Sequence, residues 1–483
     1  MGKVRQPFYL ALDQGGQSSR AILFDSDGYE VDRAQYAVPT KRAGGGVVEH
    51  DAEVLLGTVQ NAIREVIDRG QGPIKSAGLA TQRSNVVCWD RETGEPLSPV
   101  ISWQDRRNAE WLAGLHLDEA GIRHRTGLVV SPHYGAGKLR WCLDNLPAVK
   151  RAADRGRLAM GPSAGFLCAR LLDGLPFVTD PANASRTLLW NYRDGDWDPV
   201  LLRIFGLSRE WLPEVRETTA RYGNLRDSGI ALTACTGDQS AVPFAWSEPD
   251  PDTVFVNAGT GAFVQRPLPA GLENVPGLLS SVLISSEGTT RFALEGTING
   301  AGSALVWLSG ELGIDAKSLL DAGEVHEPPF FLNGISGLGS PYWRPDFPSR
   351  FAGRGGREAK AVAVLESIVF LTAVNLDVMH RSLPQAHRIV LTGGLSQIER
   401  LCRLLADITN LPVHRPPFGE ATSRGVARLA MGCHRMWSAG GAHRVFEPAR
   451  NPALDRRFTE WQSLMQKTIR RLATNPGRNN SKT

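Results

Sequence analysis

Cysteine is scarce and scattered. The six thiols, Cys88, Cys142, Cys168, Cys235, Cys402 and Cys433, show no CxxC or metal-ligand spacing. That argues against a disulfide scaffold or a zinc site, and the expectation is buried thiols in a reducing cytoplasm. Long apolar runs are also missing. No stretch reaches the roughly 18 apolar residues that a membrane span needs. The short basic start, residues 1–7, leaves no room for a secretory leader ahead of the first strand. Nor is there an excess of one charge: 54 Lys and Arg against 50 Asp and Glu leave a net +4, spread over small mixed clusters such as Arg106 with Arg107. A solvated surface fits this better than a nucleic-acid stripe. At 42% apolar and 22% charged the chain reads as an ordinary packed protein. Its 483 residues suit several domains at roughly 100–200 residues each.

Short strand-like runs alternate with helical patterns, which predicts an α/β fold. Residues 8–12 read as a strand, 13–19 as a glycine-rich turn and 21–24 as a returning strand. A similar unit recurs as strand 253–256, turn 257–261 and strand 262–265, so two related domains are expected. Amphipathic helices are predicted over 52–67, with Val54, Leu55, Val59, Ile63 and Ile67 on one face, and over 362–379 and 398–408. The run Ser247-Glu-Pro-Asp-Pro-Asp252 marks the break. The expected division is a first domain over 1–246, a second over 247–450, and a C-terminal helix and tail over 451–483. Residues 475–483 read as a frayed polar end.

Five segments could carry chemistry. In the first, Asp13 through Arg20, Gly15 and Gly16 let the backbone approach an anion. Gln17, Ser18, Ser19 and Arg20 add donors, and Asp13 could hold magnesium through its waters. In the second, Gly259, Thr260 and Gly261 could cradle the other side of a polyphosphate. In the third, Gly393 and Gly394 join a strand to a helix start, as nucleotide sites do. In the fourth, Asp238 follows an apolar strand and is placed to act as a general base; a helix N-cap is the commoner role for a lone Asp there. In the fifth, Gln82, Arg83 and Trp103 suit a hydroxylated ligand, with guanidinium donors and an indole face. Taken singly, plain turns, a cap and a core Trp explain each of them.

Together they resemble the FGGY family of carbohydrate kinases, and within it the glycerol kinases. The matching stretches include Ala11-Leu-Asp-Gln-Gly15, Ser18-Ser-Arg-Ala-Ile-Leu-Phe-Asp25, Trp103-Gln-Asp-Arg-Arg107, Asn183-Ala-Ser-Arg-Thr187, Gly237-Asp-Gln239, Gly259-Thr-Gly261, Leu294-Glu-Gly296 and Pro341-Tyr-Trp343. They run in order from about residue 9 to about residue 432. The resemblance implies two actin-like (ribonuclease H-like) domains with ATP and a small polyol or sugar in the cleft between them. By the same resemblance Asp238 is the base, and Arg83, Trp103, Gln239 and Phe263 touch the substrate. Asp13, Gly15, Ser18 and Arg20 form the first phosphate loop; Gly259, Thr260 and Gly261 form the second; Gly302 and Gly394 lie close to the adenosine. ATP and Mg2+ are the implied cofactors and the cytoplasm the implied compartment. No nucleic acid and no membrane are implied, and a homo-oligomer stays open.

The chain also departs from the family. Gly16 and Gln17 stand where the first loop usually carries Thr and another hydroxyl residue, which removes donors to the phosphates. Ser84 replaces a glutamate beside the arginine, and His133 replaces a tyrosine. Both changes disfavour glycerol, whose hydroxyls lose an acceptor; a larger polyol or a ketose is expected, with glycerol itself the alternative. Val306 and Ile398 replace polar residues on the adenosine side. The segment 222–235 is shorter than in glycerol kinases regulated by a sugar bisphosphate, so that control is expected to be absent. A carbohydrate-binding sensor with little transfer activity is the reading from another class; an actin-like filament protein is disfavoured, having no use for Arg83, Trp103 and Gln239.

Overall fold

The computed structural model describes residues 7–269, 271, 274–320, 325, 327–432, 437 and 441–474. Residues 1–6, Cys433 and the expected frayed end 475–483 lie outside the described residues.

Two sheets share one plan. In the first, Phe8–Gln14, Ser18–Phe24 and Glu30–Ala37 run antiparallel in turn. Ile74–Thr81 and then Ala231–Gly237 add in parallel on the other side of Phe8–Gln14. In the second, Thr253–Ala258, Ala262–Pro267 and Thr289–Ile298 form the antiparallel part. Arg388–Thr392 and Val413–Arg415 add in parallel beyond Thr253–Ala258. This is the pair of actin-like α/β halves that the resemblance implies, and the two hairpins seen in the sequence are the opening strands of each. Central strands such as Phe8–Gln14 are buried almost throughout, because helices cover both faces of the sheet. A smaller five-stranded sheet, from Lys41–Ala43 to Leu158–Pro162, stands beside the first half.

One helix ties the two expected domains together. The helix Ala421–Ala430 falls within 247–450, yet it packs on the first sheet. A side chain at Gly78 would meet Val426 O at 2.5 Å, Ser76 Oγ donates to Ala430 O at 2.8 Å, and Val426 and Ala427 share a core with Ala11 and Ala80. The chain thus crosses back into its first half. The C-terminal helix Pro452–Thr474 packs on the second half: Leu454, Trp461 and Met465 belong to the second core, and Trp461 Nε1 donates to Phe331 O at 3.0 Å.

Of the amphipathic helices, Ala52–Asp68 is capped by Asp51 and buries Leu55, Leu56, Val59 and Ile63, but Val54 is turned to solvent. Glu399–Thr409 buries Leu401 and Leu405, with Ile398 as its extended cap. Arg357–His380 has no polar face to show. It is the one helix among the described residues long and apolar enough to cross a bilayer, yet 89% of its apolar window is buried inside the fold, as befits a core helix. Five cysteines are free and buried. Folding brings Cys88 to Cys142 and Cys168 to Cys235 as hydrogen-bonding neighbours, pairings that their separations in the chain conceal.

Candidate active site

The strand Ala231–Gly237 runs into the short helix Asp238–Ala241 without a loop, so Asp238 stands at the strand's mouth. Its side chain is 24% exposed to the cleft. Gln239 fixes it twice, through its backbone N–H to Oδ1 at 2.8 Å and its amide Nε2 to Oδ2 at 3.1 Å. Burial pushes the Asp238 carboxyl above the ordinary aspartate range, opposed by Arg83 and by the Gln239 donors. Arg83 Nε lies 3.7 Å from Asp238 Oδ1. Gly237 is what lets it lie there: a Cβ at Gly237 would sit 2.4 Å from Arg83 Cγ.

The Arg83 guanidinium forks onto Glu295, with contacts of 2.7 and 3.1 Å. Arg186 binds the same carboxylate from another side at 2.7 Å, and Gln265 Nε2 and Ser281 Oγ add donors at 3.0 and 3.2 Å. Glu295 is fully buried. Burial pushes its carboxyl up, but Arg186 and Arg83 outweigh that and hold it down at about 2. Arg83 and Arg186 come from the first half and Glu295 from the second sheet, so this charged cluster joins the halves at the floor of the cleft.

Above it opens a cavity of about 1270 Å³, lined by Arg83, Ser84, Trp103, His133, Asp238 and Phe263 among others. Trp103 is held at both ends of the turn 82–85: its Nε1 donates to Gln82 Oε1 at 3.2 Å and its backbone N–H to Asn85 Oδ1 at 2.8 Å. His133 packs on Trp103 and on Tyr134, with ring centroids 5.4 and 5.0 Å apart. Burial and the cations Lys138, Arg106, Arg186 and Arg83 push the imidazole well below its ordinary range, so it is neutral at physiological pH. Phe263 lies under the Arg83 guanidinium, 5.4 Å from ring centroid to carbon. Ser84 adopts a left-handed backbone with φ 66°, a conformation a non-glycine residue holds only when its surroundings fix it. Lys138 supplies part of that: its buried Nζ donates to Ser84 O at 3.3 Å and His133 O at 2.6 Å. One cation thus ties together Ser84 and His133.

The segments expected to hold the nucleotide are built largely from backbone. Asp13 and Arg20 are partners across the first hairpin, joined at 3.1 Å, and the turn between the strands is only 15–17, closed by Gly15 N–H to Ser18 O at 2.9 Å. Ser19, read as a phosphate donor, instead meets Thr58 Oγ1 at 2.8 Å in the core. In the second loop Gly259 N–H donates to Gly261 O at 2.8 Å, and Gly302 and Ser303 donate to Gly259 O and Thr260 O, each at 2.9 Å. The helix Gly302–Leu312 therefore anchors the loop with its own first N–H groups. Gly393 and Gly394 end the strand Arg388–Thr392, and a 3-10 turn, Gly394–Gln397, rather than an α-helix, follows them. Val306, expected on the adenosine side, is 69% exposed.

Asp13 is the residue to test for a metal. Burial pushes its carboxyl up to about 6; Arg20 lowers it, and Asp238 and Glu420 raise it. No group of three or more His, Cys, Asp or Glu suited to a metal exists among the described residues. A lone buried carboxylate near other negative charges fits a magnesium ion whose remaining ligands are phosphates and water, and it would not suit a metal held by protein alone.

Five of the six residues expected at the substrate line the cavity. Gln239 does not: its amide is spent on Asp238 and on Asn257 Nδ2 at 2.9 Å, which makes it a positioning residue. Sequence reasoning missed Glu295, Arg186, Tyr134 and Lys138 as parts of the site. The first two lay inside quoted motifs, Leu294-Glu-Gly296 and Asn183-Ala-Ser-Arg-Thr187, but nothing in a motif says that an arginine and a glutamate more than a hundred positions apart will meet.

Residues 8–252 match the N-terminal domain of the FGGY family of carbohydrate kinases, and residues 254–432 its C-terminal domain. The chain is 36% identical to the glycerol kinase of Geobacter sp. (strain M21), covering 96% of each chain. It is 34% identical to that of Rhodopseudomonas palustris, covering 88% of this chain and 89% of the relative. It superposes on the glycerol kinase of Plasmodium falciparum with ADP at a TM-score of 0.86 and 25% identity, over 96% of this chain and 98% of the other.

Proposed function

The chain belongs to the FGGY family of carbohydrate kinases, enzymes that phosphorylate a sugar or polyol with ATP, and from that premise we propose that Asp238 is the base of the transfer and that the acceptor is larger than glycerol. The observation that carries the first point is Asp238 itself: cleft-facing, held at both oxygens, and pushed upward by burial. An acceptor hydroxyl aligned by Arg83 and Trp103 gives its proton to Asp238 while its oxygen bonds the γ-phosphorus and the bond to the departing ADP oxygen breaks. Asp13 would hold Mg2+ through its waters; bound with the nucleotide, the ion supplies charge neutralisation on the phosphate oxygens. Backbone N–H groups of Gly16 and Gln17 replace the hydroxyls that the first loop lacks. Closure of the halves about the Arg83–Glu295–Arg186 cluster excludes water as a competing acceptor. Buried free thiols suit a reducing cytoplasm.

The second point rests on Ser84 and His133. Ser84 adds no carboxylate to the cavity, and Glu295 is already consumed by two arginines, so glycerol hydroxyls find few acceptors besides Asp238. The names of the similar relatives favour the other reading, glycerol itself.

One assay decides both. ADP release is measured against polyols and ketoses of graded length, with Asp238→Asn as control. Turnover should fall by about 10²–10⁴-fold in the variant, and kcat/KM should rise from glycerol to the longer acceptors. Best use of glycerol overturns the larger acceptor alone; undiminished turnover in Asp238→Asn overturns the base; ligand binding without any turnover points to a sensor.

A further inference from the structure

The charges on the cavity wall do not balance. Arg83 and Arg186 are met by Glu295 and Asp238. Arg123 gives Nη2 to the carbonyls of Val275 and Leu278 at 2.6 Å each. Glu119 sits exposed on the helix Glu119–Thr126. Arg106 has no ion pair among the described residues, and its Nη1 is buried without a hydrogen-bond partner. Its neighbour Asp105 is taken by Arg107, at 2.8 Å, and by the Val48 N–H, at 2.7 Å. Two other cavity atoms are buried without partners, Gln82 Nε2 and Ser84 Oγ. An amide N–H2 and a guanidinium can only donate, and a buried donor left unmade forfeits its hydration with nothing in return. The wall therefore has unmet donors, and two of its arginines, Arg106 and Arg123, have no carboxylate partner among the described residues.

A neutral polyol answers this poorly, since each hydroxyl brings a proton that needs its own acceptor. A carboxylate brings acceptors only, together with the missing charge. We propose that the acceptor is a sugar acid, a polyhydroxylated chain whose carboxylate is held by Arg106, with Gln82 and Ser84 taking oxygens along the chain. The geometry leaves room for it. Arg106 and Asp238 both line the cavity, and no ion pair joins them among the described residues, Asp238 lying beside Arg83 instead, so the carboxylate and the reacting hydroxyl have different partners. The cavity, at about 1270 Å³, exceeds the roughly 300–1,000 Å³ of ordinary ligand pockets. Burial lowers the Arg106 guanidinium from its ordinary range, with Asp105 and Tyr134 only partly opposing it, and a bound carboxylate would add to that opposition.

The inference rests on the kinase reading above, so its test separates the two. Matched pairs are assayed on the full-length protein: glycerol with glycerate, erythritol with erythronate, and sorbitol with gluconate. The acids should be preferred by roughly ten- to a hundredfold in kcat/KM, the scale of a charged hydrogen bond. Arg106→Met should erase that preference by raising KM for the acid, while Arg106→Lys keeps part of it. Preference for the neutral member of each pair, with turnover still lost in Asp238→Asn, overturns the sugar acid and leaves the kinase intact. Should no acceptor turn over, thermal shift with gluconate decides: stabilisation of the wild type but not of folded Arg106→Met supports the carboxylate site, and equal or absent shifts overturn it.

Discussion

The two sides of the cleft are made by opposite means. The acceptor side consists of buried side chains that fix one another: Glu295 takes four donors, Asp238 two from Gln239, and Lys138 spans two carbonyls. The side proposed for the nucleotide is largely backbone, a pair of tight turns whose N–H and C=O groups bond to each other and to a helix start, beside the Asp13–Arg20 pair. The difference is chemical. A phosphate chain is bulky and anionic, and backbone N–H groups in a small-residue loop can line it. A small hydroxylated acceptor must be told from its relatives atom by atom, which only side chains of fixed geometry can do.

Removing Glu295 should break the acceptor side most severely. Glu295→Leu leaves Arg83 and Arg186 as uncompensated buried charges, a loss of about 3–5 kcal/mol measurable by denaturant unfolding. Adding Arg83→Met should return part of that loss, since one orphan charge goes with it. Because the Glu295 carboxyl lies below its ordinary range, at about 2, its contribution is present above the unfolded carboxyl's range and is lost only as pH falls through about 2. A cost under about 1 kcal/mol would mean that the cluster is solvated and that the contrast between the two sides is false.

The nucleotide side should instead be sensitive to pH. Asp13 titrates at about 6, so kcat/KM for ATP should fall as pH drops through that value, by roughly tenfold per unit where ionised Asp13 is needed. Stability runs the other way. A carboxyl raised in the folded state contributes stability below its unfolded value and loses it as pH rises through about 6. Asp13→Asn should abolish use of ATP while flattening the rise in stability on the acid side of that value. An acid limb unchanged in position when Mg2+ is omitted from an ATP-binding titration would separate Asp13 from metal binding.

The same contrast explains what could be read beforehand. Hairpins and glycine turns are local, so both loops and the doubled fold were visible in residues 8–24 and 253–265. Asp238 and Trp103 stood out because chemistry needs them next to recognisable turns. The charge cluster was hidden, since Arg83, Arg186 and Glu295 meet only through tertiary folding. So was the return of Ala421–Ala430 to the first sheet: an amphipathic helix shows which face it buries, never against which sheet. Val54 failed for a related reason: it sits one residue, about 100° around the helix, from Leu55, beyond the edge of the buried stripe, and so faces solvent.

The smallest effect joins the two sides. Gly16 is where the first loop is expected to depart from the family, and a threonine there would be expected to add a phosphate donor. The structure predicts a different outcome. A Cβ at Gly16 would lie 2.8 Å from Gln82 Oε1, the atom that accepts from Trp103 Nε1. Gln82 must turn away, and Trp103 loses one of its two tethers while Asn85 keeps the other. Gly16→Thr should therefore raise KM for the acceptor a few-fold, on the scale of one neutral hydrogen bond at about 0.5–1.5 kcal/mol, rather than lower KM for ATP. Adding Gln82→Ala should make the substituted loop harmless to the acceptor, because the side chain it displaces is gone. If the single variant tightens ATP and leaves the acceptor untouched, the two sides are independent, and the glycine is a simple loss of a donor.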